Sequence, residues 1–597
     1  MKALKQRKQV DNNFKWRVND LVANDELWKQ DHEEIKGEIT AFVKLKEDFT
    51  SSASNLLKVL NERSRLGQKL ETLLVYAIMK FHEDQTNATY QGLQEQAKQT
   101  AVKLQSVVSF IEPALLSMDE VTLNAYIDEE EGLKLYRHYF EDLLRQKEHI
   151  LSPEMEEMLA EAHEIGSAAS DIYDMIADAD MKFGEVKDEN GETVELTHGR
   201  YSRLIESKNR DVRKQAFKTM YDAYIKQKNT IAAAYNASVK ADIFFSSQRK
   251  YGSAQEAALS GYNIPIEVYT NLIEAVHEAL PAMHRYVRLR KKALGVDELH
   301  MYDVYTPIIA AADTKCDYDK AKDTVLKALA VLGDDYVTKV REAYNSGWID
   351  VYENEGKHSG AYSWGAYGAH PFVLLNYEDK IADMFTLAHE LGHAMHSYYT
   401  WSTQPYLYGD YTIFLAEVAS TVNETLLMNY LRKTVDDKTM SLYLINYFLD
   451  QFKGTLIRQT MFAEFEMLTH KMAEEGQPLT TESLSVLYKR LTALYFGDGI
   501  VIDDEISFEW SRIPHFYSAF YVYQYSTGFS AAVAFARAIE KDPSAVEKYK
   551  QFLKSGSSDY SINILKKAGV DMSRPEPVRE ALKLFEELVG DMERLLA

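Results

Sequence analysis

The chain has 597 residues, 46% of them hydrophobic, and its 68 basic and 91 acidic residues give a net charge of −23. This is enough material for a large core and several lobes, and the negative charge disfavours nucleic acids and anionic membranes as partners. The single cysteine, Cys316, excludes an internal disulfide, and no stretch resembles a signal peptide or approaches 18 uninterrupted apolar residues. We therefore expect a cytoplasmic protein.

Long amphipathic helices are predicted over residues 28–180, because apolar residues recur there at three- and four-residue spacing. A β-hairpin is predicted over residues 183–196, with an Asp-Glu-Asn-Gly turn at residues 188–191. Helical pattern resumes over residues 201–294, where we expect breaks at Pro265 and Pro281. With only 27 glycines and 12 prolines in the chain, a mostly helical protein follows.

Three short runs between residues 348 and 375 are rich in aromatic residues and glycine, which is typical of strands. An exposed strand edge there can bind an extended peptide as an additional strand. Gly360, Ala361 and Tyr362 are the candidate residues for this contact, since glycine allows close backbone approach. An ordinary small sheet packed on the next helix explains the same pattern equally well.

The most informative stretch contains His389-Glu390-Leu391-Gly392-His393, which has the His-Glu-x-x-His spacing of zinc hydrolases. On a helix the two histidines share one face, about 6 Å apart along the axis, and can bind one zinc ion. Glu390 is rotated roughly 100° from His389, so it cannot easily join the metal face but can reach a water bound to the metal.

A helix over this motif is indicated by a capping pattern at residues 376–379, by the absence of proline over residues 379–399 and by an apolar stripe beside the histidine face. Such a helix is buried on both faces, and buried histidines need partners, which a metal supplies. Two histidines set against a polar core are the simpler alternative.

Catalytic zinc usually takes three protein ligands, so a further ligand is needed. His396 shares the histidine face but lies about 10.5 Å along the axis from His389, so we place it behind the site or in the core. Glu417 is the candidate, because it is an isolated acid in the apolar helical run at residues 414–424, where an unpaired carboxylate is costly. Ser420 and Glu424 are candidates for orienting the ligands from behind. The simpler alternative for Glu417 is a surface acid on an amphipathic helix.

A later segment, residues 512–528, is dense in tyrosine and contains His515. Tyr521 and Tyr525 are predicted to lie one helical turn apart and to present two hydroxyls on one side. A histidine and tyrosines are suitable donors to the negative charge that develops on an attacked carbonyl oxygen. Stacked aromatic rings in a core are the alternative.

The sequences His-Glu-Leu-Gly-His-Ala-Met-His-Ser and Phe-Leu-Ala-Glu-Val-Ala-Ser-Thr together resemble the thimet-type oligopeptidase family of zinc peptidases, most closely the bacterial oligoendopeptidase F branch. The resemblance runs over nearly the whole chain. It implies one zinc ion per chain held by His389, His393 and Glu417, with Glu390 as general base. It also implies that His515 and tyrosines, for which we favour Tyr521 and Tyr525, stabilise the oxyanion.

The fold implied by the resemblance is mainly α: a large two-lobed helical zincin with a small β-sheet beside the His-Glu-x-x-His helix and an enclosed substrate channel. Residues 1–110 are then an N-terminal helical region, residues 111–190 an oligoendopeptidase F-type N-terminal helical domain, and residues 200–590 the zinc metallopeptidase catalytic domain.

The predicted function is hydrolysis of internal bonds in short peptides by a zinc-activated water, with Glu390 taking its proton. Two other functions stay open. One is a zinc exopeptidase, although the Gly-x-Met-Glu-Asn segment of one aminopeptidase class is absent. The other is a helical protein that binds peptides without catalysis. The sequence does not predict the oligomeric state.

Overall fold

The computed structural model describes residues 4–309 and 315–597. Most of these residues form α-helices, whose bounds in chain order are α1 (Asp25–Phe42), α2 (Ala53–Glu83), α3 (Ala88–Val108), α4 (Ile111–Ser117), α5 (Glu120–Glu129), α6 (Arg137–Arg145), α7 (Pro153–Asp174), α8 (His198–Leu204), α9 (Arg210–Gln248), α10 (Ala254–Ser260), α11 (Ile266–Leu294), α12 (Tyr318–Leu329), α13 (Asp334–Asn345), α14 (Ile381–Thr403), α15 (Ile413–Thr434), α16 (Lys438–Gln451), α17 (Arg458–Glu474), α18 (Thr481–Phe496), α19 (Tyr523–Lys541), α20 (Ala545–Leu553), α21 (Ser561–Lys567) and α22 (Glu576–Leu596).

The chain folds into two compact units, each assembled from three separate stretches. Unit 1 contains the described residues of Met1–Glu148, Thr314–Tyr430 and Phe535–Gly569. Unit 2 contains those of His149–Asp313, Leu431–Ala534 and Val570–Ala597. The division of the sequence into residues 1–110, 111–190 and 200–590 stays a prediction.

The core of unit 1 forms where the amphipathic helices α1, α2 and α3 bury their apolar faces together. Trp28 is fully buried there, and its indole N–H donates to the Leu73 carbonyl oxygen at 2.8 Å, so its polar atom is satisfied. Phe372 and Leu374, from a strand that begins more than 260 residues after the end of α3, belong to the same apolar cluster. The N-terminal helices therefore support the small sheet that precedes α14.

That sheet has three strands in the order β3 (Ile349–Asp350), β5 (Phe372–Leu374) and β4 (Tyr362–Trp364). The β3 strand runs parallel to β5, and β4 runs antiparallel to it, with Ser363 opposite Val373. Both β4 and β5 pack on α14, which confirms the prediction of a small sheet beside the motif helix. Since β5 is central, β4 lies at one edge of the sheet.

Unit 2 contains the predicted hairpin, formed by β1 (Glu185–Lys187) and β2 (Thr193–Glu195) in antiparallel register. Gly191 has a φ of +80° at the turn, a conformation that favours glycine. The predicted break at Pro281 is wrong, because α11 continues through it. Leu280 and Met283 beside the proline are buried, and we attribute the continuous helix to this packing.

The predicted fold class, a mainly α protein with small sheets, is confirmed. The enclosed channel implied by the resemblance stays a prediction. Within the described part of the chain, no single helix is long and apolar enough to cross a membrane, although one bent pair, Ala88–Ser117 with Glu120–Glu129, passes by length and composition.

Candidate metal centre

The motif helix α14 begins at Ile381 and is capped from within its first turn. The Asp383 carboxylate accepts hydrogen bonds from the backbone N–H groups of Lys380 at 2.9 Å and Glu378 at 2.8 Å. The helix starts later than the capping pattern at residues 376–379 predicts. Asp379 has a φ of +63°, which is incompatible with a right-handed helix at that residue.

Three potential metal donors lie together on α14 and α15. The Nε2 atoms of His389 and His393 are 3.2 Å apart, and Oε2 of Glu417 lies 3.4 Å from the first and 3.6 Å from the second. Four ligands placed tetrahedrally around an ion at about 2.0–2.1 Å are roughly 3.3–3.4 Å from one another. Two imidazoles and a carboxylate at this spacing fit a zinc-type ion.

A close contact between helices brings Glu417 to the histidines. A Cβ atom on Gly392 would lie 2.5 Å from Cα of Ser420 and 2.6 Å from the Ala419 carbonyl oxygen, so only glycine allows α15 to approach α14 this closely. Asn423, fully buried on α15, donates its side-chain N–H to the Ala388 carbonyl oxygen at 3.0 Å. These two contacts fix the separation of the helices that carry the donors.

Each histidine is held from behind at its second ring nitrogen. Nδ1 of His389 is hydrogen-bonded to the Glu424 carboxylate, and the His393 ring donates to the backbone carbonyl of Ala416. Such contacts fix the ring orientation and leave Nε2 as the donor atom. Ser420 donates its hydroxyl to Oε2 of Glu417 at 3.1 Å. Glu424 and Ser420 therefore lie where they can orient the ligands.

The charges around the two imidazoles differ. Burial disfavours the charged form of His389, but the hydrogen bond and charge of Glu424, together with the charges of Glu390 and Glu417, raise the pKa of His389 to about 9. For His393, burial and then the charge of His389 lower the pKa. A metal ion requires both imidazoles to be neutral at Nε2, so binding displaces a proton from this pair.

Glu390 is buried on α14, with 6% of its surface exposed. It accepts a hydrogen bond from the backbone N–H of Ser363 in β4, while Oε2 has no hydrogen-bond partner among the described residues. Burial, followed by the charges of Glu417 and Glu424, raises the pKa of Glu390 to about 7. A carboxyl group with such a pKa can both accept and release a proton near neutral pH.

His396 lies apart from the donor group. It is fully buried and stacks on Tyr411 with ring centroids 3.8 Å apart, and Phe552 packs on it at 4.9 Å. Burial lowers the pKa of His396 to about 3, and its ring nitrogens have no hydrogen-bond partner within the described ranges. Its observed contacts are therefore those of a packing residue.

The candidate peptide-binding residues Gly360, Ala361 and Tyr362 lead into β4 at the edge of the sheet. Gly360 is exposed and has a φ of +81°. The Tyr362 hydroxyl is hydrogen-bonded to Nδ1 of His82 at 2.8 Å, which ties the strand to the end of α2. The backbone that follows, at Ser363, is the one that contacts Glu390.

His515, Tyr521 and Tyr525 form a group of rings in unit 2. The Tyr521 and Tyr525 centroids are 5.5 Å apart, and His515 lies 6.2 and 6.0 Å from them. The predicted helical turn between the tyrosines is wrong, because α19 begins at Tyr523 and Tyr521 precedes it. Burial, then the charge of Arg458, lowers the pKa of His515.

Four contributors to the centre were not predicted from the sequence: Gly392, Asn423, the carbonyl of Ala416 and the backbone N–H of Ser363. A glycine inside a helix costs stability relative to alanine, which was a usable signal of close packing at Gly392. Asn423 carried a weaker signal as a polar residue in an apolar helical run. No pattern indicates which carbonyl supports His393.

A mainly helical chain in which a His-Glu-x-x-His helix and a glutamate of the next helix group three metal donors has the features of a metal-dependent peptidase. The family model for peptidase family M3 matches residues 203–584, and the model for the oligopeptidase F N-terminal region matches residues 115–183. The chain belongs to peptidase family M3 and is a metalloendopeptidase, so a metal cofactor is implied.

Known relatives and solved structures are similar to this chain over nearly its full length. Oligopeptidase PepF of Bacillus subtilis (strain 168) is 46% identical over 99% of this chain and 89% of its own. Group B oligopeptidase PepB of Streptococcus agalactiae is 42% identical over 99% of this chain and 98% of its own. The crystal structure of oligoendopeptidase-F from Enterococcus faecium, 38% identical, covers 96% of this chain and 99% of its own with a TM-score of 0.74. A solved chain from Chlamydophila abortus, 34% identical, covers 99% of this chain and 100% of its own with a TM-score of 0.93.

Proposed function

We propose that the chain is a zinc-dependent endopeptidase that hydrolyses internal bonds of short peptides, with Glu390 as general base. The observation that carries this proposal is the grouping of His389, His393 and Glu417, whose donor atoms all lie within 4.8 Å of one another. Zinc, when bound, supplies Lewis-acid chemistry that polarises a peptide carbonyl and makes a water molecule acidic near neutral pH.

Glu390 performs the proton transfers. Its unpaired, buried oxygen takes a proton from the attacking water and delivers it to the leaving nitrogen. The raised pKa of Glu390 supports this role, because a base of about pKa 7 is strong enough to accept the proton and acidic enough to release it. The hydrogen bond from the Ser363 N–H orients the carboxylate.

Other residues position the ligands and the peptide. Glu424 holds the His389 ring and Ser420 holds the Glu417 carboxylate, so that the lone pairs converge on one point. The edge of β4 binds the peptide in extended form, with Gly360, Ala361 and Tyr362 along its path.

The remaining roles rest on the resemblance. His515, Tyr521 and Tyr525 donate hydrogen bonds to the oxyanion that forms during hydrolysis. The preference for short peptides derives from the enclosed channel that the resemblance implies. The cytoplasmic location and the absence of nucleic-acid and membrane partners stay predictions.

The test uses Glu390→Gln, which keeps the shape of the side chain and removes the base. Metal content is measured after purification without chelators, and turnover is measured with fluorogenic peptides blocked at both ends. We expect about one zinc per chain and a loss of at least 10²-fold in kcat. Glu131→Gln is the matched control, because the Glu131 side chain is 84% exposed.

Three outcomes contradict the proposal in different ways. Turnover near the wild-type rate in Glu390→Gln would rule out Glu390 as the base. Stoichiometric zinc in Glu417→Ala would rule out the third ligand. Failure of the wild type to cut peptides blocked at both ends, with cleavage of unblocked ones, would indicate an exopeptidase.

A further inference from the structure

A cavity of about 640 Å³ lies within unit 1, beside the metal centre. Its wall includes residues from α2, from β4 and the loop after it, from the C-terminal half of α14 and from the segment that joins α14 to α15. Its volume is in the range of ligand sites, which are typically about 300–1,000 Å³.

Two features of the chain place this cavity next to the metal centre. Ser363 lines the cavity, and its backbone N–H donates to the Glu390 carboxylate. Ser397 also lines it and lies one helical turn after His393 on the same face of α14. A peptide bound along β4 with its scissile bond at Glu390 therefore has one side chain placed toward this cavity.

The cavity contains a carboxyl group with one unpaired oxygen. Glu71, on α2, accepts a hydrogen bond from the backbone N–H of Tyr367, while its Oε2 atom is buried and has no hydrogen-bond partner in the described chain. Asp410 adds a second carboxylate to the wall and is exposed. Burial, then the charge of Asp410, raises the pKa of Glu71 to about 7. A bound cation would satisfy both groups.

Arg63, a cation in the same wall, is already engaged elsewhere. Its guanidinium donates to the Tyr139 hydroxyl at 3.0 Å, lies over the Tyr139 ring and is 3.6 Å from the Glu112 carboxylate. Within the described residues, no ion pair joins Arg63 to Glu71 or Asp410. The two acidic groups therefore keep their capacity for an incoming donor.

Aromatic rings form much of the remaining wall, including Tyr367, Tyr406, Trp364 and Trp401. Aromatic faces attract cations and pack well against aliphatic stems. Carboxyl groups in a cavity lined partly by aromatic rings thus suit a long basic side chain better than an acidic or a short one.

We propose that this cavity is a substrate subsite that selects a lysine or arginine side chain of the peptide, with Glu71 and Asp410 as the specificity-determining carboxylates. The inference rests on the proposed endopeptidase function, since it assigns a side-chain preference to that reaction. Neither carboxylate contacts a metal ligand in the described structure, so both can be changed without altering the catalytic groups.

The test compares peptides that differ only in charge. Fluorogenic peptides blocked at both ends carry either arginine or its uncharged isostere citrulline, placed in turn at each of the positions flanking the scissile bond, which mass spectrometry identifies. We expect the wild type to prefer arginine at one position by about tenfold in kcat/KM, as a charge-assisted hydrogen bond would give.

Substitutions in the cavity should change the ratio of kcat/KM between the arginine and citrulline peptides. They should leave cleavage of the citrulline peptide nearly unchanged. Glu71→Gln and Asp410→Asn should each reduce the arginine preference by at least about threefold, with the citrulline peptide cut within about twofold of the wild-type rate. In Asp410→Lys, a substitution at an exposed position, kcat/KM should be lower for the arginine peptide than for the citrulline peptide. This variant provides the test if Glu71→Gln does not fold. Glu131→Gln should leave the ratio unchanged.

Three results would overturn the inference. If the wild type cuts the citrulline peptides but shows no arginine preference at any position, or if the preference survives Asp410→Lys, the cavity does not select a cation. If the wild type cuts neither peptide of any pair, the endopeptidase function itself fails, and the subsite with it.

Discussion

Replacing Gly392 with alanine tests whether the approach of α15 to α14 builds the metal centre. The added Cβ would lie 2.5 Å from Cα of Ser420, 2.6 Å from the Ala419 carbonyl oxygen and 2.7 Å from the Ser420 nitrogen. All three are backbone atoms, so no side chain can rotate away. Ordinary contact between carbon atoms is about 3.5 Å or more, so the helices must separate by about 1 Å.

Such a displacement is large for a metal site. Metal–ligand distances tolerate only about ±0.2 Å, and α15 carries Glu417 together with Ser420 and Glu424. We therefore expect Gly392→Ala to weaken metal binding by at least about tenfold, and to lose about 1–3 kcal/mol of stability through overpacking.

The assay is competition for zinc with a chromophoric chelator, together with thermal unfolding of the chelator-treated protein. Gly37→Ala is the matched control: it is the same change inside α1 of the same unit, and a Cβ at Gly37 meets no atom within 4 Å. That variant should bind zinc as the wild type does and be equally or more stable. Zinc affinity in Gly392→Ala equal to that of Gly37→Ala would refute the reasoning.

Three further substitutions test the support of His389, the oxyanion donor and the cavity. Glu424→Gln should weaken zinc binding by about 10–100-fold in the same chelator competition, and unchanged affinity would show that Glu424 does not support His389. His515→Phe should lower kcat by about 10²–10³-fold with zinc content retained, and an unaltered kcat would remove His515 from the mechanism. Glu71→Gln should raise the midpoint of thermal unfolding relative to the wild type at pH 8 but not at pH 4.

The parts of the fold that depend on local pattern were predictable from the sequence. The apolar stripe and the histidine face of α14 follow from a 3.6-residue period, and the turn ending at Gly191 follows from the conformation that glycine allows. Glu417 was identifiable because an acid stood out in an apolar run and because the flanking residues resemble a known family. These signals need only neighbours in the chain.

The rest depends on contacts between distant stretches, which have no periodic signature. Nothing in the sequence pairs Ser363 with Glu390 or sets Glu71 beside Asp410, more than 300 residues later. At Pro281 a strong local signal predicts a helix break, but the packing of α11 overrides that signal and the helix continues. Tyr521 was misplaced in a helix because spacing alone does not locate the first residue of α19.

The predicted stability change at Glu71 follows from the sign of its pKa shift. The pKa is about 7 in the folded protein and 4.5 for an unperturbed glutamate, so the folded state binds the proton more tightly. The tighter proton binding by Glu71 in the folded state contributes fully to the free energy of unfolding below about pH 4.5. This contribution is lost as the pH rises through 7. At pH 8 the buried charge therefore costs up to about 3 kcal/mol relative to pH 4.

Glutamine is neutral at every pH, so residue 71 of the Glu71→Gln variant costs no free energy of unfolding as the pH rises. The stability advantage of this variant over the wild type should therefore grow from pH 4 to pH 8. Arg63, Tyr367, Tyr406 and Asp410 line the same cavity as this carboxyl group, and Asp410 contributes the charge that acts on Glu71. Thermal unfolding at both pH values measures the difference, with Glu131→Gln as the exposed control. If the stability difference between Glu71→Gln and the wild type is the same at pH 4 and pH 8, burial does not destabilise the ionised Glu71 carboxylate. Its unpaired oxygen would then give no reason to expect a cationic ligand.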